Sequence, residues 1–134
     1  MIGTLYTIGY ADIEAAAQVE RLMNQEHMLL VDIRLSPRSR WRPAWNRNAL
    51  RTAYGERYAW EHRLGNLHYQ DRTLDIVLAE GHMDAVREIA KLLIAGASII
   101  LLCACKDART CHRTLVAKLI QDAIQELQEK AVQA

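Results

Sequence analysis

Phenylalanine is absent from this chain, proline occurs twice, and cysteine occurs three times, all within nine positions. Without phenylalanine the core has to be built from aliphatic side chains. Both prolines, Pro37 and Pro43, fall in one stretch, which is thereby marked as a loop. No apolar run approaches the length of a membrane-spanning helix, and Met1 to Tyr10 has no basic segment followed by an apolar one. Neither a membrane contact nor a secretory leader is expected, and a cytoplasmic location follows by default. Charge of one sign is also missing, since 17 Lys and Arg face 16 Asp and Glu for a formal net charge of +1. Attraction for nucleic acid or an acidic surface therefore has to come from local clusters. In a chain without a secretory signal, the clustered Cys103, Cys105 and Cys111 argue for thiols, a metal site or a reactive centre before a disulfide.

The 134 residues are 51% hydrophobic and 25% charged, the composition of one globular domain spanning residues 1–134. No repeat or low-complexity segment interrupts it. Thr4 to Ile8 reads as a strand that stops at Gly9-Tyr10. A helix follows from Asp12, its expected N-cap, with Ala15, Val19, Leu22 and Met23 on one face. Met28 to Ile33 is an apolar run suited to a strand covered on both faces. The loop after it turns helical near Asn46 to Tyr54, and residues 58 to 72 carry no clear pattern, with Tyr58, Trp60 and Leu67 to Tyr69 as candidates for a short extra strand. Met83 to Ala95 is amphipathic and is followed by Gly96, a residue fitted to the left-handed position past a helix end. Ser98 to Leu102 reads as a buried strand. The last helix, Thr110 to Lys130, is expected to turn Leu115, Leu119, Ile120, Ala123, Ile124 and Leu127 inward. Strands alternating with helices predict an α/β fold with three layers, a mostly parallel sheet flanked by helices on both faces. In such sheets ligands bind beyond the carboxyl ends of the strands. Those ends carry Gly9-Tyr10, Asp32-Arg34 and the loop Cys103 to Arg113.

That loop, CACKDARTCHR, leads from the last strand into the last helix. A helix start presents unpaired N–H groups and a positive dipole end, where Arg and a charged His each cost about 0.3–1 kcal/mol when exposed. A phosphate, carboxylate or thiolate between them and the amides would reverse the sign. A cysteine there, beside His112 and Arg113, is expected to have a lowered pKa and to act as a nucleophile. Strand, cysteine loop and helix loosely resemble the arrangement in rhodanese-type sulfurtransferases and cysteine phosphatases. The spacing departs from theirs, because Arg113 lies eight positions after Cys105 and two after Cys111. Cys103, Cys105, Cys111 and His112 also form a donor set for structural zinc. At the strand end, Cys103 alone reads equally well as a small buried hydrophobe.

Residues 34 to 51 hold Arg34, Arg38, Arg40, Arg42, Arg47 and Arg51 with Trp41 and Trp45. Guanidinium forks bind phosphate, and indoles stack on bases or on guanidinium groups, so the stretch suits a phosphate or nucleic-acid contact. The bland alternative is that these arginines pair with acidic residues while Trp41 and Trp45 pin the loop to the core. Asp32 closes a strand next to Arg34, either as a catalytic base or as an orienting carboxylate.

Four stretches, TIGY at residues 7–10, LVDIRLSPRSR at 30–40, LGN at 64–66 and LLCACKDARTCHR at 101–113, together resemble the bacterial family of domains of unknown function numbered DUF488. The resemblance covers nearly the whole chain. It implies a pocket lined by Gly9-Tyr10, Asp32, Arg34, Pro37, Ser39, Arg40, Cys103, Cys111, His112 and Arg113. The family usually has an acidic residue where Cys105 stands, and many members continue past the last helix into a further strand, where this chain has a polar tail.

The expected function is an anion-binding pocket for a phosphorylated small molecule, nucleotide or nucleic acid, formed by Gly9, Tyr10, Arg34, Ser39, Arg40 and Arg113. If the protein is an enzyme, a Cys-dependent transferase or hydrolase is expected, with Cys111 or Cys103 as nucleophile, His112 as acid/base and Asp32 as orienting group. No cofactor is expected and no residue is assigned to a metal in this reading. The alternatives are a non-catalytic nucleic-acid-binding module built on the Arg/Trp loop and a structural zinc site in the Cys/His loop.

Overall fold

A computed structural model of the chain describes residues 1–105 and 107–133, so Lys106 of the cysteine loop lies outside the described residues. In chain order the main elements are β1 (Leu5–Gly9), α1 (Ala15–Met23), β2 (Met28–Asp32), α2 (Arg47–Tyr54), β3 (Tyr58–Trp60), α3 (His82–Ile94), β4 (Ser98–Cys103) and α4 (His112–Gln133). The four strands form one sheet in the order β1-β4-β2-β3. Every pairing is parallel, with Leu5 opposite Ile99, Met28 opposite Ser98 and Leu30 opposite Tyr58. The α/β class expected from the strand and helix alternation is what the chain adopts.

β4 lies between β1 and β2, and its six residues are apolar except for Ser98. Because side chains alternate across a strand, Ile99, Leu101 and Cys103 enter one buried cluster while Ile100 and Leu102 enter another. The first cluster contains Val86, Ile89 and Leu93 of α3 with Val116 and Ile120 of α4. The second contains Ala15 and Val19 of α1, Leu50 of α2 and Trp45. This distribution is the one that helices on opposite faces require. Full burial of each large aliphatic side chain contributes about 1.5–3 kcal/mol, so the two-sided strand is a principal source of stability.

Several local expectations need correction. Asp12 does not cap α1. Its Oδ1 accepts from the Glu14 backbone N–H at 3.0 Å in a turn, and the helix begins three residues later at Ala15. In α4 Ile120 and Ala123 are buried as expected and Leu119, Ile124 and Leu127 pack partly buried against the same cluster, but Leu115 is exposed, and His112, Arg113 and Val116 take the inward positions of the first turns. Trp41 is 85% exposed and pins nothing, while Trp45 is buried. Gly96 behaves as expected, with φ +105° just past α3.

Candidate functional site

Parallel pairing places the carboxyl ends of β1, β4 and β2 side by side. Beyond them the backbone pairing continues, with the Tyr10 N–H donating to the Cys103 carbonyl at 2.9 Å and the Ile33 N–H to the Leu102 carbonyl at 3.0 Å. Gly9, at the end of β1, touches the Cys105 carbonyl and the Arg113 guanidinium so closely that a Cβ would overlap both. Only glycine fits there, for reasons of space. Above the strand ends lies a cleft of about 540 Å³, within the ordinary size of small-molecule sites. Tyr10, Arg34, Cys105, Cys111 and His112 face it, so the three clusters expected to converge do so.

Arg34 organises the wall of the cleft. It is 5% exposed, and Asp32, at 0%, accepts from its Nε at 2.8 Å and its Nη2 at 2.6 Å. Nη2 also donates to the Trp45 carbonyl at 2.5 Å, and the guanidinium lies 5.3 Å from the centroid of the Tyr10 ring. Tyr10 in turn stacks on Trp45. The Tyr58 hydroxyl donates to Asp32 at 2.6 Å, and burial together with the neighbouring carboxylate pushes its pKa well up. With the Arg34 backbone N–H also bonded at 3.2 Å, Asp32 is fully occupied in holding this arginine. Its surroundings are those of an orienting carboxylate. One guanidinium nitrogen, Arg34 Nη1, is buried and has no hydrogen-bond partner among the described residues.

The floor is the Cys/His turn. Here the expected thiols give way to a disulfide between Cys105 and Cys111, whose Cα atoms lie 6.0 Å apart, a separation a disulfide accepts without backbone movement. Cys103 remains a thiol, fully buried, and burial raises its pKa against the opposing effect of Arg113. The expected lowering of thiol pKa therefore fails for Cys103, because desolvation outweighs the opposing effects of Arg113 and Arg34. Its Sγ stands 2.7 Å from Cys111 Sγ and 3.4 Å from Cys105 Sγ. All three sulfurs lie within 4.8 Å of one another, a group that could hold a metal ion.

His112 and Arg113 were expected to need an anion at the helix mouth, yet protein groups account for both placements. His112 is buried, its Nε2 lies 2.8 Å from the Ile33 carbonyl, and burial pushes its pKa down, so the neutral ring adds no charge to the helix start. A carbonyl only accepts, so Nε2 carries the proton and Nδ1 keeps its lone pair, 3.9 Å from Cys111 Sγ. Arg113, also buried, donates from Nη1 to the Cys105 carbonyl at 2.6 Å and to Cys103 Sγ at 3.3 Å.

Of the residues singled out in the sequence, Tyr10, Arg34, Cys111 and His112 line the cleft. Asp32, Cys103, Arg113 and Gly9 support it from behind. Ser39 and Arg40 lie off it. Ser39 Oγ instead accepts from the Arg42 N–H at 3.1 Å, and the Arg40 guanidinium packs over the exposed Trp41 ring at 5.6 Å. Arg42 and Arg47 are likewise engaged within the protein, on the Tyr10 carbonyl at 2.6 Å and over the Trp60 ring at 5.0 Å. Arg38 of the arginine stretch also faces the cleft, beside Ser36, but the wall formed by His68, Tyr69, Asp71 and Arg72 was not expected from the sequence. The loop bearing these last four is closed by an antiparallel bridge between Asn66 and Leu78. In the sequence it is an aperiodic stretch in which His68, Tyr69, Asp71 and Arg72 stand among Leu67, Leu74 and Ile76. Among the described residues no helix is long and apolar enough to cross a membrane.

The family model described as Domain of unknown function DUF488 matches residues 13–120 of the chain. No curated protein and no solved structure matches the chain. The family model spans most of the sequence, including Arg34, the Cys103-to-Arg113 turn and three of the four strands, and the chain belongs to the DUF488 family.

Proposed function

We propose that the cleft at the carboxyl edge of the sheet binds a small anionic ligand, a phosphorylated metabolite or mononucleotide. The observation that carries this reading is Arg34 Nη1, a buried guanidinium nitrogen without an acceptor among the described residues, on a residue that lines the cleft. Leaving such a donor unmet costs about 1–3 kcal/mol, and more for charged groups, so an oxygen acceptor from a ligand is favoured there. Arg47 Nε also lacks a partner, but Arg47 lies off the cleft. Arg38 and Arg72, both exposed on the rim, add charge that is free to follow a ligand. The carboxylates of the cleft are otherwise engaged, Asp107 with Arg109 and Asp71 with Thr73. Tyr69 gives a flat apolar face for a base or ring.

Cysteine chemistry on the bound anion requires the Cys105–Cys111 bond to be reduced. Cys111 would then be the nucleophile and His112 Nδ1 the acceptor of its proton, which makes a Cys-dependent transferase the enzymatic form of the proposal. The test is thermal unfolding with inorganic phosphate, sulfate and a panel of mononucleotides against chloride at matched ionic strength. A saturable rise in melting temperature is expected with at least one phosphorylated compound. Arg38→Ala and Arg72→Ala should each weaken it severalfold without lowering the melting temperature of the free protein. If no phosphorylated compound acts more strongly than chloride, the proposal fails. Oligonucleotide binding that responds to Trp41→Ala but not to Arg38→Ala would instead move recognition to the exposed Arg40–Trp41 pair.

A further inference from the structure

Three sulfurs are packed more tightly at the end of β4 than three thiols can be. Cys103 Sγ lies 2.7 Å from Cys111 Sγ and 3.4 Å from Cys105 Sγ, while Cys105 and Cys111 are joined. One explanation would be exchange, in which Cys103 attacks the disulfide at Cys111. An in-line attack places the nucleophile farther from the leaving sulfur than from the attacked one by a full bond, roughly 2 Å. Here the difference is 3.4 minus 2.7, or 0.7 Å. The sulfurs form a triangle, which is the arrangement of ligands around a common centre.

We infer that the reduced protein binds one thiophilic divalent cation of the zinc type through Cys103, Cys105 and Cys111, with Nδ1 of His112 as the fourth ligand. This site does not rest on the anion reading, which is carried by Arg34, but it uses Cys111 and His112 of the same cleft, so the metal-bound form excludes the cysteine chemistry proposed above. Zinc–sulfur bonds of about 2.3 Å set tetrahedral sulfurs roughly 3.8 Å apart. Reaching that spacing takes a parting of the Cys103 and Cys111 side chains by about 1 Å, and an outward swing of Cys105, the half-buried one of the three, once its bond to Cys111 is reduced. His112 is prepared for ligation in the usual way of metal-bound histidines. Its Nε2–H is held by the Ile33 carbonyl at 2.8 Å, which fixes the tautomer and leaves the Nδ1 lone pair 3.9 Å from Cys111 Sγ. Three thiolates and a divalent cation carry a net charge of −1. Arg113, donating to Cys103 Sγ at 3.3 Å, supplies the compensating charge, and the start of α4 lies directly after Cys111.

Binding and the disulfide exclude each other. A dithiol reductant breaks the Cys105–Cys111 bond, delivering two electrons and two protons and leaving as its own disulfide. The cation then displaces three thiol protons to water and forms three metal–sulfur bonds. After removal of the metal, a small-molecule disulfide oxidant takes up two electrons and two protons, leaves as its two thiols and restores the Cys105–Cys111 bond.

The full chain, reduced anaerobically with a phosphine, is titrated with Co²⁺ alone and then with Zn²⁺. The expected result is a near-ultraviolet sulfur-to-cobalt band with the visible bands of tetrahedral cobalt, saturating at one ion per chain and lost when Zn²⁺ is added. Cys103→Ser, Cys105→Ser and Cys111→Ser should each weaken Zn²⁺ binding more than about 100-fold, the upper end for loss of a merely orienting contact, and His112→Gln at least about tenfold. Far-ultraviolet circular dichroism of each variant without metal verifies that it is folded. If a variant does not fold, the wild-type chain decides. Zn²⁺ should then shield the reduced cysteines from maleimide, and the unreduced chain should bind no cobalt. Absence of the sulfur-to-cobalt band in the reduced chain, or its survival in Cys103→Ser, overturns the site. An unchanged affinity in His112→Gln overturns the fourth ligand.

Discussion

Asp32→Asn is the substitution whose consequence follows most directly from the structure. Asp32 is completely buried and accepts from Arg34 Nε at 2.8 Å, Arg34 Nη2 at 2.6 Å and the Tyr58 hydroxyl at 2.6 Å. Asparagine keeps one acceptor oxygen but turns an amide toward these donors and leaves the buried guanidinium without its counter-charge. Removing one partner of a buried ion pair destabilises by about 3–5 kcal/mol. Against a total of about 5–15 kcal/mol for a domain, that is a large share, and it corresponds to a fall in melting temperature of roughly 10–20 °C for a chain of this size. The assay is urea unfolding followed by circular dichroism, with an unchanged slope showing that stability and not the extent of unfolding has moved. Tyr58→Phe, which removes a single bond to the carboxylate, should be milder, about 1–2 kcal/mol. In the double variant Asp32→Asn, Arg34→Met no charge remains buried, and the chain should regain at least about 1 kcal/mol over Asp32→Asn alone. A loss below about 1 kcal/mol for Asp32→Asn, or a double variant less stable than the single one, would refute the account of this pair.

His112 gives a pH signature. Its pKa is pushed below the ordinary value by burial, so the unfolded chain takes up the proton first, and stability should fall as pH drops below about 6.5, by at most about 1.4 kcal/mol per pH unit. In urea midpoints between pH 5 and 8, His112→Gln should flatten that slope, and an identical slope would disprove it. Gly9→Ala forces a methyl onto the Cys105 carbonyl and the Arg113 guanidinium and should destabilise by roughly 3 kcal/mol or more, whereas a neutral effect in chemical denaturation would contradict the packing at the strand ends. On α4, Ile120→Ala should cost about 2–5 kcal/mol and Leu115→Ala less than about 1 kcal/mol. The reverse order in thermal melts would mean that the helix is turned the other way.

The order of strands and helices was legible in the sequence because each main element carries its own periodicity. Ser98 to Leu102 is apolar throughout and lies at the centre of the sheet, and the amphipathic stretch beginning at Met83 is α3 almost to the residue. Legibility fell where the pattern is short or polar. Tyr58–Trp60 has only three residues, and the 66–78 loop has no period at all. The first turn of α4 was misjudged because two polar residues, His112 and Arg113, take the inward positions that apolar counting gave to Leu115.

The sequence alone determined that Gly9-Tyr10, Asp32-Arg34 and the cysteine turn would meet, since parallel strands joined by helices bring their carboxyl ends to one edge. Tertiary structure alone decided what these groups do to one another. That Asp32 is consumed by Arg34 and Tyr58, that Arg34 keeps one nitrogen unmatched, and that Arg42 and Arg47 are used inside the protein depend on distances between residues far apart in the chain. The same holds for the sulfurs. Spacing along the chain marked three cysteines as a group, but whether they stand as thiols, as a disulfide or around a common ion rests on a few ångströms set by how β4 ends and α4 begins.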